Sequence, residues 1–405
     1  MNDSHVVFIG GGPVGLYSAI QVKLYCPEIK IRVYEKYEEY QRKHVLIIDE
    51  NSYSEAHPNP EFRALVANLV GKVPTSTIEG ELLAFAKKLG IEVVYKKVES
   101  CEEVASENPQ AVIMVGSDGS HSLVRKQMFG DTKLIEDDLQ YIAELKYRVK
   151  GSSSALSPWS EYLPALTLAK HFVSEFVSKE IDGESAISIR FFIDQATFEE
   201  IQDRGITFKN PLNLTEAEKI TTPNISALIR DMKKWLIARK DLRDEVMCEH
   251  SEKITAINLP VYRSEFFAKE TQGKTWFLVG DAAMGVPYFR ALNAGFLCAN
   301  QLAIALNKHF HPQPLEPKMD SSMSSFRKIS CFLSEEETIV DQYNRKISNI
   351  ANSEITNARW KNMGVKVGQS SAYSVQHTPV SSLKLPKETR KHMKAIDGNH
   401  SCTIL

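Results

Sequence analysis

HVVFIGGGPVGLYSAIQVKLY, His5–Tyr25, decides how this chain is read. Val6–Ile9 is a short apolar run of the kind that forms a buried strand. Three glycines break it at once, and an apolar segment of helix length follows from Pro13. Proline suits the first turn of a helix, where the missing N–H has no partner to lose. Gly10, Gly12 and Gly15 fit G-x-G-x-x-G. In that pattern the first glycine makes a tight turn, the second lets a pyrophosphate approach the backbone, and the third lets helix and strand pack closely. The helix then turns its unpaired N–H groups and positive dipole end towards the phosphates. Gly10, Gly12, Pro13 and Gly15 are therefore candidate cofactor-binding residues.

The next strand-like run, KIRVYEK, carries Glu35, 20 residues after Gly15. A carboxylate there accepts hydrogen bonds from ribose hydroxyls. It favours an unphosphorylated ribose, which suits FAD or NAD better than NADP.

A second anchor lies at Lys274–Leu306, KTWFLVGDAAMGVPYFRALNAGFLCANQLAIAL. Trp276–Val279 is expected to be a strand that Gly280-Asp281 closes, with a helix from about Asn293 to Leu306. Asp281 could accept from a polyol hydroxyl, and the N–H groups near Ala294 and Gly295 could face an electron-rich ring edge. Between the anchors, Ala111–Val115 leads into VGSDGSHSLVRKQMFG, Val115–Gly130. There a strand leaves through Asp118-Gly119 and enters a helix carrying Arg125.

These three ordered stretches resemble the FAD-dependent aromatic-hydroxylase class of flavoprotein monooxygenases over roughly residues 6–306. The resemblance implies a Rossmann-type α/β FAD-binding domain beside a mainly antiparallel substrate domain. It implies that G-x-G-x-x-G holds the ADP half of FAD, with Asp118, Gly119 and Arg125 beneath the pyrophosphate. GDAAM, Pro287 and Asn293-Ala294-Gly295 match the stretch that binds the ribityl chain and flavin. YEKYEEYQRKHVLII is further similar to the MICAL-type monooxygenases, which oxidise methionines of actin. Arg42, Val45 and Leu46 match that family, and His44 stands where it has Asn. Phe289 falls near its Trp position. Three departures alter the fine geometry: Arg290 and Ala291 replace glycines, Met284 replaces the commoner His, and PTSTIEGELL lacks the Arg that many relatives use to hold FAD.

The chain has 405 residues, 43% hydrophobic and 25% charged, with a net charge of −2. This is ordinary globular composition, with no general reason to expect nucleic-acid binding. Six scattered cysteines without a CxxC pair argue against a zinc site and a disulfide framework. No metal is expected. The N-terminus does not read as a signal peptide, and no run approaches the ~20 apolar residues of a transmembrane helix.

The expected organisation is an FAD-binding domain from residues 1–135 plus 265–310 and a substrate-side antiparallel sheet domain at 136–264. A helical segment follows at 311–368, then a flexible basic tail at 369–405. The final CTIL, Cys402–Leu405, fits the geranylgeranyl form of C-a-a-X. Lys384, Lys387, Arg390, Lys391 and Lys394 precede it, and a basic patch supplies the second signal that a single lipid needs. The expected partners are a geranylgeranyl-type prenyltransferase and an anionic membrane surface. The expected location is the cytoplasmic face of a eukaryotic membrane, a host's if a bacterium delivers the protein.

The reading is thus an FAD monooxygenase that takes reducing equivalents from NADPH or NADH and uses oxygen on a small molecule or a protein methionine. The cofactor supplies the redox chemistry, so placement residues are sought rather than a triad. Arg42 and His44 are expected near the flavin edge, with Arg42 also a cofactor contact, and Tyr288 and Phe289 as walls. The alternatives are an NAD(P)H oxidase or reductase, or a non-catalytic binding module on the same fold serving a membrane-bound partner.

Overall fold

The computed structural model describes residues 5–38, 45–130, 133–135, 140–207, 210–259, 261–286, 290–312, 337–377 and 385–398. The chain forms two compact units, residues 1–137 with 260–358, and 138–259 with 359–405.

The first unit is built on a six-stranded sheet. Its spatial order is Ala268–Thr271, Lys274–Leu278, Ala111–Gly116, His5–Ile9, Lys30–Glu35 and Glu92–Tyr95. All neighbours are parallel except the edge pair Ala268–Thr271 and Lys274–Leu278. Val6, Val7 and Phe8 are fully buried, as expected for a strand covered on both faces. The chain leaves this central strand first to one side, to Lys30–Glu35, and later fills the other with Ala111–Gly116. That reversal creates a crevice beyond the carboxyl ends of the strands, where open α/β sheets take their ligands.

Two helices, Pro13–Tyr25 and Arg290–Phe310, pack against one another. Close approach is possible because Gly295 has no side chain: a Cβ there would lie 2.5 Å from Val14 Cγ2. A buried polar knot also joins them. Tyr17 Oη and Gln21 Nε2 donate to Asn300 Oδ1 at 2.8 and 2.6 Å, and Asn300 Nδ2 donates to the Ser52 carbonyl at 3.1 Å. Each buried polar atom thereby keeps a partner, which offsets its desolvation. The long helix Ile339–His377 buries Tyr343, Ile347, Ala351 and Ile355 at helical spacing in this unit. Its Asn344 caps the sheet edge, accepting from the Phe267 and Ala268 N–H groups and donating to the Ala268 carbonyl.

The second unit carries a four-stranded antiparallel sheet in the order Lys253–Leu259, Gln140–Lys150, Glu184–Ile193 and Val173–Val177. Alternate residues Ala143, Leu145, Tyr147 and Ile187, Ile189, Phe191 form one buried face. Leu228, Met232 and Trp235 of the helix Pro223–Arg243 belong to the same core.

Two expectations about the C-terminal region change. Residues 369–377 continue the long helix, and Lys387–Gly398 is a helix packed on Pro223–Arg243, not flexible tail. Leu385, Met393 and Ile396 are buried there, and Lys234 Nζ meets Asp397 at 2.7 Å. Lys387, Lys391 and Lys394 stay exposed, and Arg390 is half-buried. Lys384 and Cys402 lie outside the described residues. Among the described residues no helix is long and apolar enough to cross a membrane.

Candidate functional site

A cleft of about 640 Å³ opens at the switch point of the parallel sheet, within the usual ~300–1,000 Å³ of small-molecule sites. Ile9, Gly10, Gly12, Glu35, Asp118 and Asp281 are among its lining residues.

The three glycines of the turn have different physical reasons. Gly10 has φ +108°, and a Cβ there would lie 2.4 Å from the Ser117 carbonyl oxygen. Gly15 would place a Cβ 2.1 Å from the Gly10 carbonyl oxygen. Both are required by the protein's own packing. Gly12 is not. Its backbone is ordinary extended chain (φ −68°, ψ 178°), and a Cβ there meets nothing within 4 Å. It is the N-cap of Pro13–Tyr25, and no side chain caps that helix. With Pro13 it lines the cleft, so the cleft receives the dipole end of the helix with no side chain over it.

Glu35 ends its strand beside this turn. Its Oε2 accepts from Gly11 N–H at 2.8 Å and its Oε1 from Tyr37 N–H at 3.0 Å. A carboxylate has about four acceptor sites, so both oxygens keep capacity for hydroxyl donors in the cleft. Thr75 and Glu79, from the helix Thr75–Lys88, also line the cleft. Burial pushes the Glu79 carboxyl up, and the Glu35 charge adds to this.

The Asp118-Gly119 turn serves the fold as well as the cleft. Asp118 Oδ2 accepts from the Leu123 and Val124 N–H groups at 2.5 and 3.2 Å, capping the helix Leu123–Phe129. Burial raises its pKa, and these bonds together with Ser122 pull the other way. Gly119 takes φ +84°, a left-handed turn position. Ser117 donates to the Gly10 carbonyl at 2.7 Å and ties the two turns together.

Arg125 differs from its expected role. It is fully buried and does not line the cleft. Its Nη1 donates to the Ala282 carbonyl at 2.7 Å, its Nη2 to the Ser120 carbonyl at 2.7 Å, and its guanidinium sits 5.4 Å from the Tyr262 ring centroid. Both of its terminal nitrogens thus donate to backbone carbonyls.

Asp281 lines the cleft. The helix after it starts by Arg290 rather than about Asn293. Ala294 and Gly295 therefore lie past the first turn, where N–H groups bond within the helix. Asn293 is buried: its Oδ1 accepts from Asp49 N–H and Ser52 Oγ at 2.8 Å each, and its Nδ2 donates to the Ile47 carbonyl at 2.9 Å. Ala291 and Leu292 line the cleft in their place. Arg290 forms a two-pronged pair with Glu354, at 2.6 and 3.1 Å, and meets Asp49 at 3.5 Å. Arg42, His44, Tyr288 and Phe289 lie outside the described residues.

Fold and cleft together define an α/β protein with a crevice at the carboxyl ends of its parallel strands. No protein-family model matches the chain, and no curated protein matches it. Solved structures do share its fold. The Diels-Alderase PyrE3 of pyrroindomycin biosynthesis is 16% identical, with a TM-score of 0.55 over 98% of this chain and 80% of that one. CabE, an aromatic hydroxylase from angucycline biosynthesis, is 14% identical, with a TM-score of 0.54 over 98% and 76%. The flavin-dependent brominase Bmp2 is 13% identical, with a TM-score of 0.51 over 98% and 100%. The names of these three describe different reactions, so the reaction has to be argued from the site.

Proposed function

We propose that the chain is an FAD-dependent monooxygenase that takes electrons from NADPH or NADH. The observation that carries this is Gly12: a residue that the protein's own packing does not require to be glycine, at an uncapped helix N-terminus, in a cleft that also holds Glu35 and Asp281. The donor set fits FAD. The Gly12 turn and helix end suit a pyrophosphate, Glu35 a ribose diol, and Asp281 a polyol chain. Bound FAD supplies the electron transfer and oxygen activation. The chain's residues hold it, orient it and limit water. The aromatic hydroxylase CabE and the flavin-dependent brominase Bmp2 have related folds, which favours flavin chemistry over an NAD dehydrogenase. The substrate is a small molecule or a protein methionine. Membrane attachment, through a prenylated Cys402 aided by the exposed lysines of Lys387–Gly398, belongs to the same proposal. A Cys402→Ser protein that distributes in cells as wild type does would remove it.

The test is the visible spectrum of the purified protein, then with NADPH added. Oxidised-flavin absorbance, bleached by NADPH and lost in Asp281→Ala, supports the reading. A colourless wild type after reconstitution with excess FAD overturns it. Steady NADPH consumption that yields only peroxide with every substrate offered would favour the oxidase alternative.

A further inference from the structure

The two helices that begin at the cleft end together elsewhere, and three metal-ligating side chains meet there. Pro13–Tyr25 runs out at Cys26, and Arg290–Phe310 at His311. Ligand atoms of Cys26, Glu28 and His311 all lie within 4.8 Å of one another. We propose that these residues bind a zinc ion that ties the two helix ends.

Three observations carry this. His311 Nε2 lies 3.2 Å from Glu28 Oε1, close to the ~3.3 Å that tetrahedral bonds of about 2.0 Å would set between two ligands. His311 Nδ1 meets Asn307 Oδ1 at 3.0 Å. The contact on Nδ1 leaves Nε2 as the ring nitrogen that faces Glu28. A polar partner on the other ring nitrogen is the usual companion of a metal-binding imidazole. Cys26 Sγ completes the group with a soft donor, and thiolate, imidazole and carboxylate together select zinc, with water in the fourth position.

The surroundings favour a cation. Both helices present their carbonyl ends here, the negative ends of their dipoles. Cys26 is fully buried. Zinc binding would release its thiol proton to solvent and put the metal charge in its place. Cys26 and His311 are far apart in sequence and form no CxxC pattern, which is why spacing alone argued against zinc. The site is independent of what the cleft holds.

The experiment uses full-length protein, stripped by chelator, kept reduced and titrated with Co²⁺ as an optical probe and then Zn²⁺. We expect one Co²⁺ per chain with near-ultraviolet thiolate-to-cobalt absorbance, displaced by Zn²⁺. Glu28 and His311 are exposed, so Glu28→Gln and His311→Ala should fold normally and weaken Zn²⁺ binding by more than about 100-fold. Asn307→Ala should weaken it about tenfold. Cys26→Ser should abolish the thiolate band. Zn²⁺ should raise the melting temperature of wild type and not of His311→Ala. Co²⁺ binding without the thiolate band, or equal Zn²⁺ affinity in wild type and His311→Ala, would overturn the proposal and leave an ordinary imidazolium–carboxylate pair.

Discussion

The Arg125 guanidinium donates to the Ala282 carbonyl oxygen at 2.7 Å, joining two turns that lie 157 residues apart. The same fork reaches the Ser120 carbonyl. Both turns therefore take their mutual position from one buried cation, and the cleft inherits it.

Removing this fork should damage the fold before it damages binding. Arg125→Ala leaves buried carbonyls unsatisfied and should cost about 3 kcal/mol or more. Arg125→Lys should recover little, because a single ammonium cannot spread its donors over both carbonyls as the planar group does. Urea denaturation checks this. A midpoint in Arg125→Ala equal to wild type would mean that the guanidinium does not hold the turns.

Glu35 predicts a graded loss of flavin. Its two oxygens already accept from Gly11 and Tyr37 N–H groups. Gln has only one carbonyl oxygen, so one of those N–H groups would face an amide NH₂. Glu35→Gln should therefore weaken FAD about tenfold, the scale of one lost charged hydrogen bond, and Glu35→Ala more. Quenching of flavin fluorescence on binding measures both. Equal affinity in all three proteins would remove Glu35 from the site.

Acid should act on the second unit through Glu161 and Arg243. Hydrogen bonds from the Arg243 guanidinium hold the Glu161 carboxyl below its ordinary 4.5, against some desolvation. A depressed folded value means stability that is present above the unfolded value and lost as pH falls through the folded one. Glu161→Gln should thus lower stability by about 1 kcal/mol at pH 7 and by nothing once the wild-type carboxyl is protonated. Urea melts of both proteins, compared at pH 7 and at successively lower pH, should draw together as the pH falls. A difference that stays constant as the pH falls would refute the linkage.

The strand, glycine turn and helix at Val6–Tyr25 were legible because their signals are local: a buried run, φ-demanding glycines and a helix-length apolar stretch. What was not legible is long-range. A helix start near Asn293 followed from the apolar spacing of the residues up to Leu306. The Asn293 side chain instead bonds to Asp49, Ser52 and Ile47, more than 240 residues away. Arg125 looked like a phosphate ligand because the Ala282 carbonyl to which it donates is invisible in its own neighbourhood. The helix Lys387–Gly398 hid behind its charges, since Leu385, Met393 and Ile396 are spaced for a helix but too few to show as an apolar period. Ser117 gave no motif at all, and only the fold brings it to Gly10.

The last prediction separates ligand from packing within one motif. Gly15→Ala would drive a Cβ to 2.1 Å from the Gly10 carbonyl oxygen, with the Ser117 hydroxyl 2.8 Å away. Backbone cannot yield that far, so the variant should unfold early or fail to accumulate, with or without FAD. Gly12→Ala meets no protein atom within 4 Å and keeps an ordinary φ of −68°. Its stability without cofactor should stay within about 0.5 kcal/mol of wild type. Yet the new methyl group would stand where a pyrophosphate must approach the backbone, so FAD affinity should fall by at least about tenfold. Thermal melts of both apo variants, with FAD titrations of Gly12→Ala, decide the matter. Wild-type FAD affinity in Gly12→Ala would show that nothing in the cleft needs that space, and the functional reading would lose its main support.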